Sequence, residues 1–153
     1  MQAHLTYYIW EGLLAGTASG RVFSIPALSG GGGGSTRHRD TAATNNPYME
    51  ALKTTGVANS KAHRHGGPIP PGEYVIEKPS HHRHLGLSAA LVHRYWKPVG
   101  RDGFYIHGRG PHGSDGCIVP VYSLDFQNLM SALRDSKGGV LIVQETMSGD
   151  RFA

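Results

Sequence analysis

The chain has 153 residues, 39% of them hydrophobic, with Gly 22 and Pro 9 and a formal net charge of +4. That length suits one domain with a real core, and so much glycine and proline suits short strands and long turns better than a helix bundle. A single cysteine excludes an internal disulfide and no stretch approaches the length of a membrane span, while the basic balance favours an anionic partner without choosing among nucleic acid, lipid and cell wall.

Leu5–Trp10 is aromatic and β-branched and reads as a strand. Met1–Trp10 holds no Lys or Arg and only a short apolar run, so no standard secretory signal is expected there. Glu11-Gly12 and the 16–20 region read as turns. Arg21–Ile25 alternates as a second strand ended by Pro26, and the two strands are predicted to pair antiparallel. Ser29–Ser35 is almost all glycine, but the 28 residues before it are too few to fold alone. Residues 1–153 are therefore read as a single domain with a long mobile loop at about 29–66. Pro47–Lys53 is a short helical candidate inside that loop.

Gly67-Pro68-Ile69-Pro70-Pro71-Gly72 fixes a rigid turn, because its prolines lock φ. Glu73–Glu77 alternates as a strand, His81, His82 and His84 follow beside Arg83, and Leu87–Tyr95 is apolar enough for another strand. Lys97–Gly103 reads as a turn and Phe104–His107 as a strand. Ser123 is the expected N-cap of one main α-helix (about 124–136), with Leu124, Leu129, Met130 and Leu133 as its apolar face and Gly138-Gly139 as its stop. Val140–Val143 reads as a buried strand.

The chemistry concentrates in residues 104–119. An apolar strand ends in His107, a glycine-rich turn follows, and Cys117 comes just before the apolar pair Ile118-Val119. A thiolate is an effective nucleophile, and a nearby imidazole lowers the thiol pKa and shuttles its proton. Cys117 is thus the candidate nucleophile. His107 and His112 compete as its base; His107 is favoured, because a strand end is a rigid platform and His112 lies in the turn. The backbone N–H groups of Gly116 and Cys117 are candidates for an oxyanion hole. Arg109 offers a planar fork for a substrate carboxylate, and His112, Ser114 and Asp115 are further candidate substrate contacts, Asp115 also suiting a turn-holding role. His63, His65, His81, His82, His84 and His93 invite a metal, yet no Cys-x-x-Cys or His-Glu-x-x-His accompanies them, so neither metal nor cofactor is expected.

Ile106-His107-Gly108 followed by Ser114-Asp115-Gly116-Cys117-Ile118 resembles the signature of the L,D-transpeptidase (YkuD-like) family. The short histidine-to-cysteine gap and the upstream Gly67–Tyr74 turn are most similar to the type VI secretion L,D-transpeptidase effectors, and Phe23–Gly30 resembles the strand and Ser-Gly that precede that turn. Two departures stand out. Asp115 replaces a histidine of the longer enzymes. Val119 replaces an arginine that often follows Cys-Ile, which leaves carboxylate recognition to Arg109.

The resemblance implies a mainly β, L,D-transpeptidase-like sandwich with the helix after the cysteine. It also implies peptidoglycan stem peptides as substrate, cleaved or exchanged at an L,D bond through a thioester on Cys117 with His107 as base. An effector implies a cognate immunity protein, a delivery partner in the secretion machine, synthesis in the cytoplasm and action in the target-cell periplasm, with no nucleic acid and no membrane insertion. Two alternatives remain open: a non-effector cell-wall L,D-transpeptidase of the same chemistry, and a non-catalytic His-rich module binding metal or a polyanion. A papain-like or NlpC-type peptidase fits less well, because it places histidine after cysteine.

Overall fold

A computed structural model describes residues 2–30, 45, 67–95, 103–108 and 116–148. The expected helix at Pro47–Lys53, most of the glycine-rich loop at about 29–66 and the turn at 97–102 lie outside them. The described elements are β1 (Ala3–Tyr8), β2 (Leu13–Ala18), β3 (Arg21–Ser29), β4 (Gly72–Ile76), β5 (Ser80–His82), β6 (Gly86–His93), β7 (Phe104–His107), β8 (Ile118–Pro120), α1 (Ser123–Ser136) and β9 (Gly139–Gln144).

The fold is mainly β with one described helix, as the composition and the resemblance imply. The strands form one sheet in the order β4-β9-β1-β2-β3-β8-β7-β6-β5, and β4 also pairs with β6. That last pairing closes the sheet on itself. β6 carries β5 beside its first half (Ser80↔Ser88) and β4 beside its second (Ile76↔Leu91). Neighbours run antiparallel except β1–β9 and β7–β8, which are parallel. Side chains of one parity turn inward along each strand, such as Leu5 and Tyr7 on β1 and Phe23, Ile25 and Ala27 on β3. They form a single core with Phe126, Leu129, Met130, Ala132 and Leu133 of α1.

Several local expectations are corrected. The first strand and Arg21–Ile25 do not pair with each other, because β2 runs between them. Gly16 is a strand residue, not a turn: it lies opposite Leu5, with φ +142, and a β-carbon there would collide with the His4 carbonyl oxygen. Glycine permits that close approach of β1 and β2. Pro26 does not end β3. Its carbonyl accepts from Val121 N–H at 3.0 Å, and the strand runs on to Ser29, so the residue expected to open the loop is the last of the ladder.

The helix begins as expected but is capped differently. Tyr122 is the N-cap, with no side-chain cap hydrogen bond, and Ser123 is already helical. Leu124 is 71% exposed and Phe126 is buried in its stead. Positions 126, 129, 130 and 133 form the i, i+3, i+4, i+7 stripe, and 124 falls off it. β9 alternates instead of burying both faces, with Leu141 and Val143 inward and Ile142 40% exposed.

Candidate active site

β7 delivers His107. Phe104 and Ile106 are buried, while Tyr105 and His107 face the other way and are half-buried. A one-residue slip would turn Phe104 and Ile106 out, forfeiting about 1.5–3 kcal/mol for each, so the pleat fixes the side on which the imidazole is displayed. β8 delivers Cys117. Ile106 pairs in parallel with Ile118, and both are buried. β8 begins at Ile118, so Cys117 stands immediately before the Ile106–Ile118 pair, just after Gly116. The thiol residue is partly exposed.

Beneath this corner, Gly108 lies against the ring of Phe126, close enough that a β-carbon would touch it at 3.6 Å. The first turns of α1 thus support the segment that leaves His107.

The protonation of His107 follows from its contacts. Its Nδ1 lies 2.8 Å from the Gly108 carbonyl oxygen, which can only accept, so Nδ1 carries the hydrogen and Nε2 keeps a lone pair. Burial pushes the imidazole pKa below the ordinary histidine value; the Gly108 hydrogen bond opposes this, and the charge of His82 adds to it. The neutral, proton-accepting form is therefore favoured. That is the form a general base needs.

His82 is set up the opposite way. Its Nδ1 accepts the backbone N–H groups of His84 at 3.0 Å and Leu85 at 3.2 Å, so its neutral form carries the hydrogen on Nε2. Its ring meets Tyr105 edge-on at 4.9 Å. A cavity of about 890 Å³ opens along this face, lined by Glu77, His82, Ala90, His93, Tyr95 and Tyr105 among others. Among the described residues, no group of three His, Cys, Asp or Glu is placed to hold a metal ion.

Gly116 lies in the left-handed region with φ 108, a conformation that favours glycine, immediately before the cysteine. Its carbonyl accepts the Ser29 hydroxyl at 3.1 Å, and the same Ser29 Oγ accepts Ile69 N–H at 2.9 Å. Ser29 is fully buried. The proline turn therefore packs beside the cysteine segment, braced at its far end by the Tyr74 hydroxyl, which donates to Pro70 O at 2.7 Å. The backbone of Ser29 is held in turn by Asn45: Ser29 N–H donates to Asn45 Oδ1 and Asn45 N–H donates to Ser29 O, both at 2.8 Å.

Of the residues singled out from the sequence, His107 directly follows Ile106, and Gly116 and Cys117 directly precede Ile118, Ile106 and Ile118 being the two residues that pair β7 with β8. Arg109, His112, Ser114 and Asp115 lie outside the described residues. Val119 is buried opposite Leu28. Sequence reasoning took Ser29 only as the start of the loop and as part of the resembling Phe23–Gly30 stretch, and it passed over Asn45 and the distinct role of His82. Ser29 carried a readable signal, because it follows Phe23, Ile25 and Ala27 at the inward parity of β3. Asn45 carried none.

No family model matches the chain, and neither does any curated protein. Solved structures do. The cell-shape protein Pgp2 of Campylobacter jejuni, a K307A mutant, matches with a TM-score of 0.54 at 14% identity, over 95% of this chain and 47% of that one. An L,D-transpeptidase from Mycobacterium smegmatis matches with 0.52 at 15% identity, over 94% and 58%. An L,D-transpeptidase from Xylanimonas cellulosilytica matches with 0.50 at 14% identity, over 93% and 60%. The chain thus spans about half to three fifths of the length of these structures. Its closed sheet, with one described helix after the cysteine, is an L,D-transpeptidase (YkuD-like) fold.

Proposed function

We propose that the protein is a cysteine-dependent peptidoglycan-modifying enzyme, cleaving or exchanging L,D bonds of stem peptides through a thioester. The observation that supports this reading is the parallel pairing of Ile106 with Ile118, since the residue after Ile106 is a histidine whose Nδ1 faces a carbonyl and the residue before Ile118 is the chain's one cysteine. The shared fold and the motif order support it.

In the mechanism, His107 Nε2 takes the thiol proton and Cys117 Sγ attacks the carbonyl carbon. The oxygen gains negative charge, for which the backbone N–H groups of Gly116 and Cys117 are the candidate donors. Collapse breaks the C–N bond, and the imidazolium returns its proton to the leaving amine. Water, or an acceptor amine, then gives a proton to His107 and attacks the thioester, and the departing thiolate is reprotonated. Water makes the enzyme an L,D-carboxypeptidase; an amine makes it a transpeptidase.

On the motif likeness, the enzyme is an antibacterial effector of type VI secretion, acting in the target-cell periplasm and countered by an immunity protein that blocks the groove. The charge of +4 suits an anionic wall. Incubation with tetra- and pentapeptide muropeptides, followed by mass spectrometry, tests the chemistry. The wild type should release the terminal D-residue or exchange it, and Cys117→Ala should do neither. A folded wild type inert on both substrates would overturn the proposal. Periplasmic expression tests the effector role: wild-type toxicity that Cys117→Ala abolishes supports it, and harmless expression of an active enzyme points to wall maintenance.

A further inference from the structure

The last residue of β7 to pair with β6 is His107, opposite Ser88, and Gly108 lies beyond that ladder. The sheet thus stops fixing the backbone at the residue whose carbonyl meets His107 Nδ1 at 2.8 Å. A glycine outside a ladder is the freest of backbones, because no β-carbon restricts its rotation. Something else must hold that carbonyl in place.

The helix supplies the hold. For a β-carbon built on Gly108, the three nearest atoms outside its own chain neighbours would be Cε2, Cζ and Cδ2 of Phe126, at 3.6, 3.8 and 3.9 Å. Phe126 is buried and belongs to the core with Leu129, Met130 and Leu133. Its N–H donates to Tyr122 O at 3.0 Å in the first turn of α1. The ring is therefore fixed by the interior of the protein, and Gly108 rests against it.

The state of the imidazole depends on that support. A carbonyl at Nδ1 demands the hydrogen there and leaves the lone pair on Nε2. Without such a partner, a neutral histidine ring in water carries its hydrogen mainly on Nε2, and that nitrogen then has no lone pair to offer.

We propose that Phe126 is a positioning residue for His107: its ring keeps Gly108 where the carbonyl holds the imidazole in the Nδ1–H form. It acts through Gly108, not on the substrate. The inference deepens the proposed function and rests on that reading only for the use of Nε2 as a base.

Nitrogen-15 NMR of the histidine-labelled protein at pH 7.5 reads the tautomer directly, because bare and hydrogen-bearing ring nitrogens resonate far apart. Burial keeps His107 neutral at that pH. The chain has 10 histidines, and the pair of ring signals missing from His107→Gln identifies this one. In the wild type Nδ1 should bear the hydrogen. Phe126→Leu should move the two ring shifts toward each other as the Nε2–H form enters. If that protein does not fold, Phe126→Met, whose unbranched side chain adapts to the same space, gives the comparison. Leu133→Ala tests for general loosening: it opens a cavity in the same core about 10 Å further along α1 and should leave both shifts in place.

A wild-type ring with its hydrogen on Nε2, shifts that stay put when Phe126 is replaced, or equal movement in Leu133→Ala would overturn the assignment. The readout needs no turnover. Movement confined to the Phe126 variants of a protein inert on muropeptides would sink the proposed substrate and keep the positioning role, whereas an active enzyme with unmoved shifts would do the reverse.

Discussion

Tyr7 is fully buried on β1, more than a hundred residues from the cysteine, yet it is tied to the segment that holds it. Its hydroxyl lies 2.8 Å from Asn45 Oδ1 and 3.1 Å from Ala27 O, and burial raises its phenol far above the ordinary range, so it stays a donor. Asn45 Oδ1 also accepts Ser29 N–H. Tyr7→Phe removes only the oxygen. The single hydroxyl hydrogen is shared between Asn45 Oδ1 and Ala27 O, so the cost should be that of one buried hydrogen bond, about 1–2 kcal/mol. For a chain of this length that corresponds to a fall in Tm of about 2–8 °C. Asn45→Gly removes the amide while tolerating the positive φ of 53 at that position. Glycine's extra unfolded-state freedom appears in both limbs of a double-mutant cycle and cancels. The two substitutions should be less than additive by at least about 0.5 kcal/mol, since each removes the same Tyr7–Asn45 bond. Urea unfolding of the four proteins, followed by tryptophan fluorescence, measures this. Strict additivity, or a Tyr7→Phe protein as stable as wild type, would show that Tyr7 does not hold Asn45.

Gly16→Ala should prevent stable folding, costing more than about 4 kcal/mol, because the new methyl meets the His4 carbonyl and comes within 2.9 Å of Leu5 Cα; a cooperative unfolding transition near that of wild type would refute it. His107 binds fewer protons folded than unfolded, because burial lowers its pKa from the ordinary 6.5. Its contribution to stability is therefore complete above that value and declines as pH falls below it toward the lower folded value. His107→Gln should remove this part of the pH dependence, so the wild-type and variant urea midpoints, compared at pH 7.5 and pH 5, should differ between the two conditions. An equal gap at both would count against a depressed His107.

The strand that carries His107 and the glycine backbone before Cys117 were legible because their signal is local. Strand alternation sets the facing of His107, glycine permits the backbone before Cys117, and only nine residues lie between the two. The helix was legible for the same reason, through its 3.6-residue stripe. The meander of β1, β2 and β3 was misread where a local rule met a non-local need. Gly16 resembles turn punctuation until β1 is known to press on it, and Pro26 resembles a strand end until its carbonyl is seen receiving Val121. Asn45 was unreadable, because its role exists only once Tyr7 and Ser29 are adjacent.

His82 and His107 make the complementary point, that residue type does not fix chemical role. Each is an imidazole on the same face of the sheet, bordering Tyr105. A carbonyl at Nδ1 leaves His107 with an accepting Nε2, whereas two N–H groups at Nδ1 leave neutral His82 with a donating one. Exchanging the two backbone environments would exchange the roles, since the rings are chemically identical. The difference is written in the neighbouring peptide groups: Gly108 at the end of β7 in one case, and the tight turn after β5 in the other. The same face thus presents an accepting imidazole nitrogen at His107 and, in neutral His82, a donating one.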